Sequence, residues 1–291
     1  MPEHTPELIT LSGVVVVVLV NTLSEHKTWA WMRMVQGPAV LKDIPGMCFA
    51  KVMGSGHGGG FGIRPSATHQ GLITMFDHAD HAKAFLAGPV VQGYRERAGD
   101  FWTGTLEVLT ARGQWDGQAW GATSSTQLGF ESDAANDPSD PRPLAALTRA
   151  SIRPAKAMAF WRNAPATQAA MQQASGCTLA MGLGEAPLVR QCTFSLWKDT
   201  PSMLEYAHQG AHQQAIEAAY KHRYFSESLF VRMRLLQQDG HWPAPSQIAT
   251  SNLNEDAADE ADTTDKSDTQ DRATVEAEHL HEPMHGKGTA S

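Results

Sequence analysis

The stretch GMCFAKVMGSG at residues 46–56 returns in altered form as GCTLAMGLGEA at residues 176–186. Two further pairs of similar stretches follow in the same order: GLITMF (71–76) with CTFSLW (192–197), and LEVLTARGQW (106–115) with VRMRLLQQDGHW (231–242). The members of each pair lie 121 to 130 residues apart. Matching pieces in a constant order are typical of a duplicated structural unit.

The hydrophobic period changes in the same way in both copies. A β-rich run is followed by an amphipathic stretch, two strands, a longer helical stretch and a final strand. The first β-rich run is predicted at 11–20 and the final strand at 101–110, with the corresponding strands of the second copy at 143–152 and 227–237. The helical stretches are predicted at 24–41 and 79–98 in the first copy, and at 154–174 and 200–221 in the second. This βαββαβ order is that of a ferredoxin-like unit. The sequence therefore predicts an α+β fold of two tandem ferredoxin-like units that pack sheet against sheet.

These patterns divide the chain into four parts. The first repeat is predicted at 10–121, the second at 142–245, and a linker rich in Ser, Asp, Asn and Pro at 122–141. Residues 246–291 hold almost no large apolar side chain and are predicted to form a disordered acidic tail.

Charge and cysteine content exclude several functional classes. The formal net charge of −8 comes from the tail, so residues 1–245 are close to neutral. The sequence contains no block of basic residues of the kind that indicates nucleic-acid binding. Three cysteines without CxxC spacing favour a reducing cytoplasm. The apolar stretch LSGVVVVVLV (11–20) is too short to span a membrane. Peripheral contact with the inner membrane and homo-oligomer formation stay open.

The helical stretch at 201–221 carries the most informative side chains. Its predicted inward stripe is mostly alanine and holds two imidazoles: Leu204, Ala207, His208, Ala211, His212, Ala215, Ile216, Ala219 and Tyr220. Small side chains leave room beside His208 and His212 for a flat cofactor. The alternative is a core histidine with an ordinary hydrogen-bond partner. The matching helix of the first copy has Pro89 and Val90 instead, so one such site per chain is expected.

The glycine-rich loop GSGHGGGFG at 54–62 lacks the GK[ST] ending of a phosphate-binding loop. We expect it to cover a pocket mouth, with Phe61 anchoring the loop and His57 able to reach a bound group.

Several ordered pieces together resemble the spheroidene monooxygenase family of carotenoid biosynthesis. The resembling pieces are GSG at 54–56 with GF at 60–61, AALTRA at 145–150 with IR at 152–153, FW at 160–161, GLGEAP at 182–187, QCTFSLW at 191–197, GAH at 210–212 with AI at 215–216, and Phe225, Glu227 and Leu229. The resemblance covers residues 10–243 or so.

The resemblance implies a dimeric-α/β-barrel type of fold and a haem-dependent oxygenase that adds a keto oxygen to an acyclic carotenoid. It implies His212 as the iron ligand, with O2 and a ferredoxin-like electron donor as partners. Arg149 or Glu185 is the expected hydrogen-bond partner of the other His212 nitrogen. Candidate walls for a polyene channel are Phe49, Met181, Phe194, Trp197 and Leu204.

Two other functions remain open. The first is a haem-binding protein of the same fold without carotenoid oxygenation. The second is a non-catalytic barrel that binds an apolar ligand. Which of His57, His208 and His212 binds iron is also left open by the residues alone.

Overall fold

The protein is described by a computed structural model over residues 10–129, 142–186, 188–208 and 210–245, without the side chains of Pro38 and Ala211. Most of the predicted linker and the whole predicted tail lie outside these ranges. The division into repeats at 10–121 and 142–245 therefore stays a prediction.

Ten strands and eight helices follow one another in the described chain. The strands are β1 (Thr10–Leu11), β2 (Val14–Thr22), β3 (Met47–Gly56), β4 (Pro65–Phe76), β5 (Ala98–Gly113), β6 (Ala119–Trp120), β7 (Leu144–Ile152), β8 (Cys177–Ala186), β9 (Arg190–Trp197) and β10 (Phe225–His241). The helices are α1 (Lys27–Gln36), α2 (Ala79–Ala87), α3 (Pro89–Arg95), α4 (Ser125–Leu128), α5 (Ala157–Trp161), α6 (Ala164–Gln173), α7 (Thr200–His208) and α8 (Gly210–Lys221).

Eight strands close into a barrel in the order β10-β5-β2-β4-β3-β8-β9-β7. All pairings in the barrel are antiparallel, and β1 pairs with β6 in a small separate sheet. Closure leaves no strand edge of the barrel unpaired. The predicted α+β class is confirmed, and the predicted strand and helix types recur in the predicted order.

The valine run of β2 is buried on both faces. Val15, Val17 and Leu19 point into the barrel, while Val14 and Val16 point outward and pack under the helices α2 and α3. Every side chain from Val14 to Val20 has no solvent exposure. A strand covered on both faces needs no polar alternation, which is why this segment is a continuous run of β-branched residues.

The barrel interior and the two helix layers form three separate apolar clusters. The interior cluster includes Trp102, Leu147, Phe194 and Met233. On the outside of the first half, Phe76, Phe85, Val91 and Tyr94 pack against β2 and β4. The outer cluster of the second half is smaller and consists of Phe61, Met171, Cys177, Ala180, Trp197 and Met203.

Both long predicted helices are interrupted, and this corrects the sequence prediction. The segment 79–98 divides at Gly88 into α2 and α3, because Pro89 has no N–H to continue the first helix. The segment 200–221 divides into α7 and α8, and Gly210 adopts a φ of 59°. The predicted final strands are also too short: β5 and β10 extend to 16 and 17 residues.

The alternation of β7 gives a direct stability test. Leu147→Ala should lower the free energy of unfolding by about 2–5 kcal/mol, because it removes a buried side chain from the packed barrel interior. Thr148→Ala, at the neighbouring exposed position, should change it by less than about 0.5 kcal/mol. Urea unfolding followed by tryptophan fluorescence measures both; equal losses would contradict the assigned faces of β7.

Candidate functional site

The junction of α7 and α8 positions His212. Asp199 caps α7, since its carboxylate accepts a hydrogen bond of 2.8 Å from the Ser202 N–H. The chain then turns at Gly210, where the left-handed backbone favours glycine. His212 follows in the first turn of α8, which packs against α6 and α7.

The His212 imidazole is half-buried, and one ring nitrogen has a backbone partner. Its Nδ1 lies 3.4 Å from the carbonyl oxygen of Ala207, and its ring centroid lies 4.5 Å from that of Tyr206. The Tyr206 ring in turn lies 5.2 Å from the Trp197 ring on β9. Burial lowers the pKa of His212 and outweighs the Ala207 hydrogen bond, so the imidazole is neutral near pH 7.

The other members of the predicted histidine stripe do not share one buried face. His208 is exposed, Ile216 is 38% exposed, and Tyr220 is 83% exposed. The break at Gly210 separates His208 and His212 onto different helices, so the i, i+4 relation assumed for a single helix does not apply. Of the two histidines, only His212 is placed inside a packed side-chain environment.

The glycine-rich loop packs against the outer face of β8. Phe61 is buried in the outer cluster of the second half, and its N–H donates a 2.8 Å hydrogen bond to Gln168 on α6. The Ser55 hydroxyl donates to the carbonyl of Gly182 at 2.5 Å. His57 begins a short 3-10 turn, and its N–H donates to the Arg64 carbonyl at 2.7 Å. Phe61 thus lies where an anchoring residue was expected.

A cavity of about 240 Å³ lies beside this loop, over the seam between β3 and β8. The seam pairs at a single position, Gly54 with Gly184. Met34 of α1 and Trp161 of α5 line opposite sides of the cavity, and Phe61 also borders it. The remaining lining side chains include Ile63, Leu188, Glu185, Arg190 and Gln191. His212 is not among the lining residues.

A polar network closes one end of the barrel. Arg149 has no solvent exposure; it binds Glu227, lies 3.1 Å from Asp116 Oδ1 and 3.3 Å from Glu185 Oε1. Lys51 Nζ lies 2.5 Å from Asp116 and 3.3 Å from Glu185. The Trp115 indole, itself fully buried, donates a 2.7 Å hydrogen bond to Glu185. Arg190 reaches the same two acids from the outside, at 3.5 Å and 3.4 Å.

The network lowers the pKa of two of its carboxylates, Asp116 and Glu227. Burial alone would raise the pKa of Asp116, but the Lys51 hydrogen bond and the charges of Lys51, Arg149 and Arg190 together lower it. Burial also acts to raise the pKa of Glu227, and hydrogen bonds from the Gly117 N–H and Arg149 reverse the shift. Three carboxylates thus face three cations.

This placement corrects the expected environment of His212. Arg149 and Glu185 bind each other at the barrel end, and the His212 Nδ1 instead lies near the Ala207 carbonyl. The residues expected to line a polyene channel also lie elsewhere in the fold. Phe49, Met181 and Phe194 belong to the packed barrel interior, whereas Trp197 and Leu204 belong to the outer cluster of the second half.

Several residues of the cavity and the network escaped the sequence analysis. Lys51, Asp116 and Trp115 were not singled out, and neither were Met34 and Leu188 at the cavity. A charged residue inside a β-rich run, such as Lys51 or Arg149, is the one signal that indicates a buried ion pair. Their partners are distant in sequence, so no local pattern identifies them.

The described residues limit the metal chemistry that side chains alone can provide. Within them, no group of three or more His, Cys, Asp or Glu side chains lies close enough to hold a metal ion. A single neutral imidazole such as His212 remains a suitable axial ligand for a haem iron. No helix in the described ranges is long and apolar enough to cross a membrane.

Comparison with known proteins identifies the family. No protein-family model matches the chain. Spheroidene monooxygenase of Rubrivivax gelatinosus is 43% identical over 240 residues, covering 82% of this chain and 88% of that protein. Spheroidene monooxygenase of Rhodobacter capsulatus is 33% identical over 232 residues, covering 79% and 92%. That of Cereibacter sphaeroides is 31% identical over 227 residues, covering 77% and 67%.

These identities extend over most of both chains, and they define the class of protein as an oxidoreductase of the monooxygenase type. More narrowly, the chain belongs to the spheroidene monooxygenase family. Solved structures align only loosely. A solved structure of an anthrone oxidase-like protein aligns with 79% of the chain at 12% identity and a TM-score of 0.29. This similarity is too low to support a conclusion about the fold.

Close packing of the loop on β8 predicts a specific intolerance at Gly182. A Cβ atom there would overlap the Gly60 carbonyl oxygen and lie 2.8 Å from Phe61 Cδ1. Gly182→Ala should therefore lower the free energy of unfolding by about 1–3 kcal/mol. Gly62→Ala, where a Cβ meets nothing within 4 Å, is the matched control and should be neutral or slightly stabilising. Thermal unfolding that affects both variants equally would contradict this docking of the loop.

The network at the barrel end predicts a pH-dependent effect of Arg149→Met. At pH 7 the substitution should lower the free energy of unfolding by about 1–3 kcal/mol, because three partly exposed carboxylates lose the buried cation that they share. The pKa values of Asp116 and Glu227 lie below the ordinary 3.8 and 4.5. The stabilisation they supply is therefore present above these ordinary values and lost as the pH falls through the lowered ones.

The difference between wild type and Arg149→Met should thus shrink below about pH 4, where the carboxylates become protonated. Urea unfolding at pH 7 and pH 3.5 measures this difference, with Arg112→Met on the exposed end of β5 as control. An equal difference at both pH values would indicate lost packing and not lost charge pairing.

Proposed function

We propose that the chain is a haem-dependent monooxygenase that introduces a keto oxygen into an acyclic carotenoid or a related apolar substrate. It would use O2 and electrons from a reduced ferredoxin-type donor. The three relatives are named for spheroidene, and this supports a carotenoid substrate of the same kind. The observation that carries the haem assignment is the neutral, half-buried imidazole of His212.

The ligand chemistry at His212 suits a haem iron. Its Nδ1 lies near the Ala207 carbonyl, so in the tautomer that donates this hydrogen bond the Nε2 keeps its lone pair for a metal. Burial favours the neutral ring, so binding iron does not require a proton to be removed near pH 7. His208 is exposed and lacks such an environment, which supports His212 as the ligand.

The outer cluster of the second half is the best candidate for contacts to the porphyrin. Met171, Cys177, Ala180 and Met203 are small or flexible side chains, and methionine adapts readily to an irregular apolar surface. The corresponding cluster of the first half is larger, and its helices carry Pro89 and Val90 where the second half carries the two histidines. This asymmetry supports a single haem site per chain.

Phe61 links this cluster to the cavity. It lines the cavity and packs in the same cluster as Trp197, whose ring is followed by those of Tyr206 and His212. An apolar substrate entering the cavity would thus meet the loop at Phe61 before it approached the histidine-bearing helix. His57, at the start of the same loop, remains a candidate for contact with a bound group.

The roles of the protein groups follow from these contacts. When bound, the haem would activate oxygen, and the protein would hold and orient the groups around it. His212 would hold the iron, the Ala207 carbonyl would fix the ring tautomer, and the Tyr206 ring would restrict rotation of the imidazole. Arg149 and Glu185 would act structurally, keeping the barrel end rigid beneath the cavity.

We also infer that the barrel arose by tandem duplication of a ferredoxin-like unit. The strand order of the first half, β5-β2-β4-β3, parallels that of the second half, β10-β7-β9-β8. Each half contributes strands and helices in the order βαββαβ, although its helical segments are divided.

The haem assignment predicts a distinct spectrum for each histidine variant. Purified protein expressed with a haem supply should show a Soret band, and so should His208→Ala and His57→Ala. His212→Ala should lose at least about tenfold of the haem occupancy, because it removes the nitrogen that would hold the iron. Imidazole added to His212→Gly should restore part of the band, which a merely unfolded variant would not allow.

Two outcomes would contradict the assignment. Loss of the band in His57→Ala but not in His212→Ala would transfer the ligand to the glycine-rich loop. Absence of haem from all proteins would exclude the haem mechanism while leaving the family membership intact. Reductant-dependent O2 consumption with an acyclic carotenoid then tests the substrate separately.

A further inference from the structure

The surface around the cavity exposes large apolar side chains. Six of the ten large apolar residues that the described chain exposes lie in segments bordering this cavity: Trp31, Met32, Val35, Ile63, Met158 and Leu188. Trp31 is 58% exposed and Met158 is 72% exposed. A concentration of exposed apolar side chains around one opening indicates an interaction surface.

Two helices frame this opening in the same way. On α1, Trp31 and Val35 share a stripe with Met34, which lines the cavity. On α5, Met158 precedes the cavity-lining Trp161 by one helical turn. The Trp161 indole donates a 2.8 Å hydrogen bond to the Leu188 carbonyl, so the next loop is held at the same rim. The exposed stripes therefore continue directly into the cavity wall.

The charges of this rim are all of one sign. The segments 27–41, 57–69, 153–176 and 188–194 contain no Asp or Glu. They carry seven basic residues: Lys27, Arg33, Arg64, Arg153, Lys156, Arg162 and Arg190. The neighbouring carboxylates include Glu25, just before α1, and the network acids Glu185 and Asp116, which are paired with Lys51 and Arg149 and are also reached by Arg190. Since residues 1–245 are close to neutral as a whole, this basic rim is a local feature.

We propose that this face, framed by α1, α5, the glycine-rich loop and Leu188, docks onto the surface of an anionic lipid bilayer. Trp, Met and Ile side chains would enter the headgroup boundary, while Lys and Arg contact lipid phosphates. The cavity would then open toward the bilayer. The proposal goes beyond the oxygenation above and requires neither haem nor substrate.

The composition of the face favours a bilayer over a protein partner. Large exposed apolar side chains beside basic residues, on helices without acidic residues, are typical of interfacial helices. The sheet seam on the opposite side of the barrel, β5 with β10, is the natural comparison, because it is closed by a long ladder of paired residues.

Vesicle co-sedimentation of the full chain tests the proposal. Wild-type protein should bind vesicles of phosphatidylcholine with phosphatidylglycerol, bind pure phosphatidylcholine vesicles more weakly, and lose binding as salt is raised to about 0.5 M. Lys156→Gln with Arg162→Gln should weaken binding to the anionic vesicles about fivefold for each charge removed. Trp31→Ser with Met158→Ser should weaken binding to both vesicle types, because apolar insertion does not depend on lipid charge.

The controls use the opposite seam. Phe230→Ser and Arg112→Gln alter an exposed apolar and an exposed basic residue on β10 and β5, and they should leave vesicle binding unchanged. Equal effects of the control and rim variants would overturn the proposal, as would wild-type protein that binds neither vesicle type. Conversion of a dimer to a monomer by Trp31→Ser with Met158→Ser, without vesicle binding by wild type, would assign the face to a second copy.

Discussion

Closing an eight-stranded barrel requires its two halves to pair along two seams, and the two seams differ in this protein. Strands β5 and β10 pair from Phe101 with His241 to Gly113 with Leu229. Strands β3 and β8 pair at Gly54 with Gly184 alone. The short seam is reinforced by the Ser55 hydrogen bond to Gly182 and by the loop that packs over it. The cavity, the loop and the polar network all depend on this limited pairing.

Glycine at position 182 lets the glycine-rich loop pack closely beside the short seam. Under this loop, ion pairs connect the two halves of the barrel. A side chain at Gly182 would collide with the loop, so the backbone approaches closely only because no Cβ is present. Beneath the loop, Glu185 joins Lys51 of one half to Arg149 of the other. Arg149 at the centre of this network is fully buried, and its charge is stable only when paired, which favours a single arrangement of the barrel end.

The helix layers of the two halves differ, although the strand orders of the two halves correspond. Large side chains such as Phe85 and Tyr94 fill the space between α2, α3 and the sheet. In the second half, methionine, alanine and cysteine occupy the equivalent layer, and α7 and α8 leave His212 beside Tyr206. The same barrel therefore supports a tightly filled helix layer on one side and a layer with fewer large side chains on the other.

Local periodicity was sufficient for much of the fold. The β-rich runs, the helical stretches and their order along the chain were predicted correctly, because composition and period are properties of neighbouring residues. The helix break at Gly210 was not recognised, and the stripe drawn through it placed Tyr220 inward when it is exposed. One interrupted turn rotates every later side chain of a helix, so periodicity carried across a break assigns the wrong face.

The sequence by itself determined the order of strands and helices, the near-neutral charge of residues 1–245 and the family. These depend on hydrophobic period, composition and ordered motifs, respectively. Only the tertiary structure decided the partners of Arg149, which lie 33, 36 and 78 residues away, and the gathering of α1 and α5 around one cavity. The reason is physical: barrel closure, and not chain proximity, brings these side chains together, and burial then makes their pairing obligatory.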